Sequence, residues 1–272
     1  MKTPWIHVSK SAPCPVCNHP DWCCIGMRWV NCMRVESGKP CHNGGWLHPL
    51  DARAQPVERR PEPERPTINA AGLMLGFWKG TTDLMRRDAA LKLGVSAFAL
   101  HSLGACWAQP HRAWAFPMFD GCRQCVGIRL RADSGRKWAV TGSRQGIFIP
   151  KAEPQATAFI VEGPTDAAAA LTLGLFTLGR PSCSGCIPYT QVAINRLGIK
   201  RAVIVADNDT PGIRGAKVMA DELQVPCCHL LLPSKDLREF VRLGGTRELI
   251  DSLTEQLVWQ QPQGSATNLS TL

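Results

Sequence analysis

The 272-residue sequence has one tyrosine, Tyr189, and no run that approaches the roughly 20 consecutive apolar residues of a membrane span. Its first 15 residues lack the basic start, apolar stretch and small-residue cleavage site of a secretory signal. A Walker A loop, G-x-x-x-x-G-K-[ST], is also missing, which excludes a phosphate-binding loop of that type. We therefore expect a cytoplasmic protein that does not contact membranes.

Cysteine, in contrast, is abundant. The chain has 13 cysteines, an odd number. Because the cytoplasm keeps thiols reduced, a disulfide framework is not expected, and clustered cysteines are better explained as metal ligands.

The net charge of +9 is unevenly distributed. Residues 67–150 contain 11 basic and 4 acidic side chains, whereas residues 151–272 contain 11 basic and 12 acidic ones. A positive field in one part and acids in another is expected where the first part holds phosphates and the second holds metal cations.

Composition divides the chain into segments. Residues 51–66 combine four prolines with alternating charges and predict an extended linker, so residues 1–50 form a separate module. We assign residues 67–150 to a basic α+β subdomain, 151–250 to an α/β domain, and 251–272 to a polar tail that is disordered at its end.

The hydrophobic pattern predicts the main elements. Residues 69–79 and 82–93 have helical spacing, with Gly94 as a stop. Short strands are predicted at 113–119, 126–131 and 137–140. From residue 157, strand and helix patterns alternate at 158–161, 165–173, 202–206, 211–223 and 228–232. This alternation indicates a mostly parallel sheet with helices on both faces.

A metal site is predicted in the N-terminal module. Four thiolates suit tetrahedral Zn²⁺, whose binding energy can replace the core that 50 residues cannot build. The proposed structural zinc ligands are Cys14, Cys17, Cys23 and Cys32. Cys24 competes with Cys23, and Cys41 or His42 competes with Cys32. The C-x-x-C pairs at 122–125 and 183–186 are not assigned to a metal.

Acidic residues follow three predicted strands. Glu162-Gly163 follows the first, Asp207-Asn208-Asp209 the second and Asp236 the third. Ligands of open α/β sheets bind beyond the carboxyl ends of the strands, so these acids are expected to meet there. Glu162, Asp207 and Asp209 are the predicted ligands of catalytic Mg²⁺ or Mn²⁺.

Glu162 is also the candidate general base, and Asp166 and Asp236 complete the predicted catalytic set. Helix capping is the alternative explanation for acids in these positions.

These acidic motifs resemble the TOPRIM domain of DnaG-type and phage primases, topoisomerases and some nucleases. Residues 116–118, 126–131 and 137–138 resemble the basic subdomain before TOPRIM in primases, and the N-terminal cysteines resemble their zinc ribbon. The resemblance implies that Arg129, Arg131, Lys137 and Arg144 contact template or nucleotide phosphates. It also implies a single-stranded DNA template, nucleoside triphosphates and RNA primers.

A topoisomerase is disfavoured because the only tyrosine lies between the acidic motifs and no strand-passage domain is present. Without a Walker A loop, a replicative helicase must act in trans, which suits a primase of a phage or mobile element. A TOPRIM nuclease and a non-catalytic zinc-ribbon protein that binds single-stranded DNA are the alternatives. The sequence thus predicts a DNA primase with a divalent-metal-dependent nucleotidyltransferase site.

Overall fold

The computed structural model describes residues 5–41, 45–50, 67–183 and 185–262. The chain divides into two compact units, Met1–Arg65 and Pro66–Leu272. The predicted linker at 51–66 lies outside the described residues. In the described ranges, no helix is long and apolar enough to cross a membrane.

The first unit contains one small antiparallel sheet. Its strands, in spatial order, are β1 (Ile6–His7), β2 (Cys24–Ile25), β3 (Trp29–Cys32) and β4 (Trp46–Pro49). Its buried cluster consists of Val8, Val30 and three cysteines, Cys14, Cys23 and Cys32. So small an apolar core supports a fold of this size only with additional stabilisation.

The second unit begins with three helices, which are α1 (Ala70–Lys79), α2 (Asp83–Leu93) and α3 (Ala97–Ser102). Asn69, Thr82 and Ser96 cap them, because the side-chain oxygen of each accepts the backbone N–H of the residue three positions later. Gly94 ends α2 with a φ of +71°, a conformation that favours glycine. The two predicted helices are confirmed.

An antiparallel sheet follows. Its strands are β5 (Cys106–Ala108), β6 (Ala113–Phe119), β7 (Cys125–Arg131) and β8 (Lys137–Ala139). Ile128 and Leu130 point from β7 into a core shared with α1, whereas Arg129 and Arg131 lie half-buried on the opposite face. Arg131 pairs with Lys137 on β8, so three basic side chains share one face of the sheet.

The second sheet of this unit is entirely parallel. Its strands, in spatial order, are β10 (Thr177–Arg180), β9 (Thr157–Glu162), β11 (Arg201–Ala206) and β12 (Cys227–Leu231). The helices of this region are α4 (Pro164–Thr172), α5 (Ile187–Arg196), α6 (Thr210–Glu222), α7 (Leu237–Arg242) and α8 (Arg247–Glu255).

Helices cover both faces of the parallel sheet. Phe159 and Val161 pack in a core with residues of α4, α7 and α8, while Ala158 and Ile160 pack in a second core with α5 and α6. Successive residues of one strand thus enter different cores, as the pleat requires. The predicted α/β architecture is confirmed.

Six helices and strands of this unit were not predicted, namely α3, β5, β10, α5, α7 and α8. Strand β10 has only four residues, including a glycine and an arginine, and α5 follows a loop with a proline, so neither gives a strong pattern. Helix α8 crosses the predicted domain boundary at residue 250. Beyond it, Gln260 forms a β-bridge with Cys227. Disorder was predicted from Gln260 to Leu272, and of this segment residues 263–272 lie outside the described residues.

Candidate active site and metal centre

The four predicted zinc ligands come together in the first unit. The Sγ atoms of Cys14, Cys17, Cys23 and Cys32 all lie within 4.8 Å of one another. The Cys17–Cys23 and Cys23–Cys32 separations are 3.7 and 4.0 Å. A tetrahedral ion with Zn–S bonds of about 2.3 Å requires about 3.8 Å between sulfurs. The cluster therefore has the dimensions of a four-cysteine zinc site.

N–H groups surround these sulfurs. The backbone N–H of Met33 donates to Cys23 Sγ at 3.4 Å, and that of Val35 donates to Cys32 Sγ at 3.3 Å. The guanidinium of Arg34 lies 3.8 Å from Cys23 Sγ. These donors favour the thiolate, which is the form that binds metal. Burial acts in the opposite direction, because it raises the pKa of Cys32 and raises that of Cys14 to about 12. A bound metal cation would hold these two thiols in the ionised form.

The competing ligands lie elsewhere. Cys24 Sγ instead contacts the Nδ1 atom of His7 at 3.4 Å, and Cys41 is not in the cluster. His42 lies outside the described residues. Among the residues that the structure describes, the pairs at 122–125 and 183–186 do not form a second cluster of this kind.

The predicted acids of the second unit lie at the carboxyl edge of the parallel sheet, which we call the acidic rim. Glu162 is the last residue of β9, Asp207 follows β11 directly and Asp236 follows β12. The backbone N–H of Asn208 donates to the carbonyl of Lys235 at 2.8 Å and joins the β11 and β12 loops. The structure thus places these three strand ends at one edge of the sheet.

Gly163 allows the turn from β9 into α4. It has a φ of +87° and a backbone N–H bonded to the carbonyl of Arg180 at 2.7 Å. Helix α4 starts at the next residue, so Asp166 lies in its first turn. The Glu-Gly pair thereby brings a second carboxylate to the rim.

Several rim carboxylates also cap or anchor helices. Oδ1 of Asp209 accepts the backbone N–H of Gly212 at 2.7 Å, and Oδ1 of Asp236 accepts that of Glu239 at 2.7 Å. Asp166 Oδ1 accepts the N–H of Arg238 at 3.0 Å. Capping therefore occurs at Asp209 and Asp236. Because each bond uses one oxygen, capping leaves the other oxygen for a ligand.

Burial and mutual repulsion disfavour charge on these acids. Burial and the nearby Asp236 raise the pKa of Asp166 to about 7. Burial, Glu162 and Asp236 raise the pKa of Asp207 to about 6, and burial raises the pKa of Glu162. Such shifts mark carboxylates held together without sufficient counter-charge. A cation placed among them would relieve the repulsion.

The oxygen donors suit Mg²⁺, but they are more widely spaced than the cysteines. Within the described residues, three carboxylates do not approach within 4.8 Å of one another as the four thiols do. By position and donor type, Glu162, Asp207 and Asp209 are the residues that would hold the ion.

The basic face of the antiparallel sheet is directed toward the acidic rim. Nη2 of Arg129 donates to the carbonyl of Pro181 at 2.8 Å, and its charge interacts with Glu162. The charge of Arg131 interacts with Asp166 and Asp236. The charge of exposed Lys137 partly opposes the rise in the pKa values of the rim acids. Arg129, Arg131 and Lys137 therefore lie close enough to the rim acids for their charges to interact.

Arg144 is placed differently. It is exposed in the loop after β8, and its backbone N–H donates to the carbonyl of Val126 at 3.0 Å. The described contacts locate Arg144 at β7 and do not join it to the three other basic residues.

Arg180 is a site residue that the sequence analysis missed. It ends β10, pairs in register with Glu162 and is 2% exposed. Nη1 donates to the carbonyl of Cys183 at 2.6 Å, and the charge opposes the burial effect on Glu162. The short apolar segment before Arg180 was a weak signal that an arginine lies at a fourth strand end.

The raised pKa of Asp166 predicts a pH-dependent stability. Between pH about 4 and 7 the folded state retains a proton that the unfolded state has lost, so stability falls as pH rises through this window. Replacing Asp166 by Asn should remove this loss and stabilise the protein at pH 8 by on the order of 4 kcal/mol. Urea unfolding at pH 5 and 8, without added Mg²⁺, measures the effect.

Asp88→Asn, an exposed acid on α2, is the matched control for this experiment. Equal stability changes in both variants, or a destabilised Asp166→Asn protein at pH 8, would contradict the assignment of a buried, poorly compensated carboxylate.

The sequence matches no family model and no curated protein sequence. Its fold, however, is similar to that of solved primases. The Escherichia coli primase catalytic core aligns with a TM-score of 0.56 and 14% identity over 70% of this chain and 79% of that one. A DnaG primase catalytic domain bound to single-stranded DNA aligns with a TM-score of 0.54 and 15% identity over 69% of this chain and 78% of that one.

The third similar structure is the primase fragment of the bacteriophage T7 primase-helicase protein. It aligns with a TM-score of 0.53 and 15% identity over 92% of this chain and 100% of that one. At these identities the comparison establishes the fold. The chain therefore has the fold of DnaG-type and phage primase catalytic cores, with an additional N-terminal module that contains a four-cysteine cluster able to bind zinc.

Proposed function

We propose that this protein is a DNA primase, which synthesises short primers on single-stranded DNA from nucleoside triphosphates. The observation that carries the proposal is the acidic rim facing Arg129, Arg131 and Lys137 within a primase-core fold. Phosphate-binding cations beside carboxylates that can hold metals are what template-directed nucleotidyl transfer requires.

In this proposal, the acidic rim carries the chemistry. The 3′-hydroxyl oxygen of one nucleotide attacks the α-phosphorus of the next, the bond to pyrophosphate breaks, and Glu162 accepts the hydroxyl proton. A carboxylate with a raised pKa is a better base near neutral pH. Asp207 and Asp209 would hold Mg²⁺ or Mn²⁺, which when bound lowers the pKa of the hydroxyl and stabilises the departing pyrophosphate.

The remaining parts would bind nucleic acid. Arg129, Arg131 and Lys137 would neutralise template phosphates, so binding should weaken as salt is added. The N-terminal module, with Zn²⁺ on its four cysteines, would take part in template selection. A replicative helicase would act as a separate protein.

Purified protein incubated with single-stranded DNA, labelled ribonucleotides and Mg²⁺ tests the function. We expect short labelled products that depend on template and metal. A 5′-labelled oligonucleotide in the same buffer tests for nuclease activity. Cleavage without incorporation would favour a nuclease, and DNA binding with neither activity would favour a non-catalytic binding protein.

A further inference from the structure

A cavity of about 150 Å³ lies beside the acidic rim and is not used in the chemistry above. We call it the α2–α7 pocket. It is lined by residues of α2, β6, β7, the β7–β8 turn and α7, and its charged or aromatic members are Lys92, Trp114, Arg131, Asp133 and Arg238. Trp114 is 7% exposed, so it provides a fixed wall.

Two guanidinium groups converge on this pocket. Burial lowers the pKa of Arg131, and the nearby charge of Arg238 lowers it further. The two like charges are thus held near each other at one pocket. Within the described part of the chain, neither side chain forms an ion pair or a hydrogen bond to another side chain. Two arginines that line one pocket and form no ion pair are suited to bind a multivalent oxyanion.

The neighbouring charges leave the pocket cationic toward a ligand. Lys92 and Asp133 form an ion pair of 2.8 Å at the surface, so they largely cancel each other. On the side of the acidic rim, Asp166 and Asp236 interact electrostatically with Arg131. Burial and the nearby Asp236 raise the pKa of Asp166 to about 7. Among the residues that line the pocket, Arg131 and Arg238 therefore carry the charge that remains after Lys92 and Asp133 have paired.

The size of the cavity limits the ligand. At about 30 Å³ per liquid water molecule, it holds about five waters. This volume fits a phosphate group, but it is below the roughly 300 Å³ of sites that enclose a whole small molecule. The remainder of a phosphorylated ligand would extend out of the pocket toward the rim.

We propose that the α2–α7 pocket is a phosphate-binding site in which Arg131 and Arg238 hold one phosphate group of a nucleotide substrate or of the DNA strand. The choice of these two ligands rests on the proposed function. Arg238 is thereby assigned a binding role that its sequence position, one residue into α7, does not reveal.

Calorimetric titration of the full chain tests the site with two probes, inorganic tripolyphosphate and an oligo(dT) strand. Arg238→Gln should weaken one of them by about tenfold, because each charge-assisted bond to phosphate is a strong one. Arg131→Gln should weaken the same probe. Arg196→Gln, an exposed arginine of α5 on the other face of the sheet, should leave both affinities within twofold of the unmodified protein.

Loss of tripolyphosphate binding alone supports a nucleotide site, and loss of oligo(dT) binding alone supports a template site. Unchanged affinity for both probes in both pocket variants, or equal losses of affinity in Arg196→Gln, would refute the proposed phosphate-binding site. Primer synthesis by the unmodified protein is measured separately. Its absence would refute the proposed function, whereas the titrations alone decide whether the pocket binds phosphate.

Discussion

Primer synthesis should fall by about 10³-fold when Asp207 is replaced by asparagine. Asp207 lies at the centre of the acidic rim, where the charges of Glu162, Asp209 and Asp236 all act on it. The amide has nearly the same shape but lacks the charge that retains a divalent cation, and metal stabilisation of the transition state amounts to several kcal/mol. Incorporation of labelled nucleotides on single-stranded DNA measures the loss.

Two further readouts separate catalysis from folding in this variant. Affinity for single-stranded DNA should be retained, because the basic residues that face the rim are intact. The folded state should be at least as stable as the unmodified one without metal, since the burial that raises the pKa of Asp207 penalises its charge.

Asp221→Asn is the matched control, an exposed acid near the other end of α6 and about 18 Å along the helix from Asp209. Full activity of Asp207→Asn, or equal losses in both variants, would show that the rim is not the catalytic centre.

The second large effect is expected in the N-terminal module. Cys32→Ser should abolish zinc binding and unfold this module, because a structural four-ligand zinc site contributes about 10 kcal/mol or more to folding and this unit has a very small apolar core. Hydrogen exchange should show loss of protection in residues 5–50 and no change in residues 67–262. Atomic absorption spectroscopy measures the bound zinc.

Cys24→Ser is the matched control, since Cys24 adjoins a proposed ligand in sequence and contacts His7 instead of the cluster. It should retain zinc and protection. Zinc loss in Cys24→Ser with zinc retention in Cys32→Ser would show that Cys24 binds the ion and Cys32 does not. A module that stays folded in Cys32→Ser after chelation would refute a structural role for the metal.

Local pattern was sufficient to predict most elements of the second unit. The two N-terminal helices have side-chain caps and a glycine stop, and the parallel strands have long apolar runs, so their signals lie within a few neighbouring residues. Strand β10 and helix α8 were missed because short or polar elements owe their stability to the partners they pack against.

For the candidate site, the sequence alone determined which acids follow strands and which cysteines have metal-ligand spacing, because both signals depend on residue order. Only the tertiary structure decided which side chains meet. The pairing of β10 with β9 places Arg180 beside Glu162, and the packing of α7 against α4 brings Arg238 to Asp166. The charges of such residues act through space over a few ångströms, and residues 72 positions apart reach that distance only when the chain has folded.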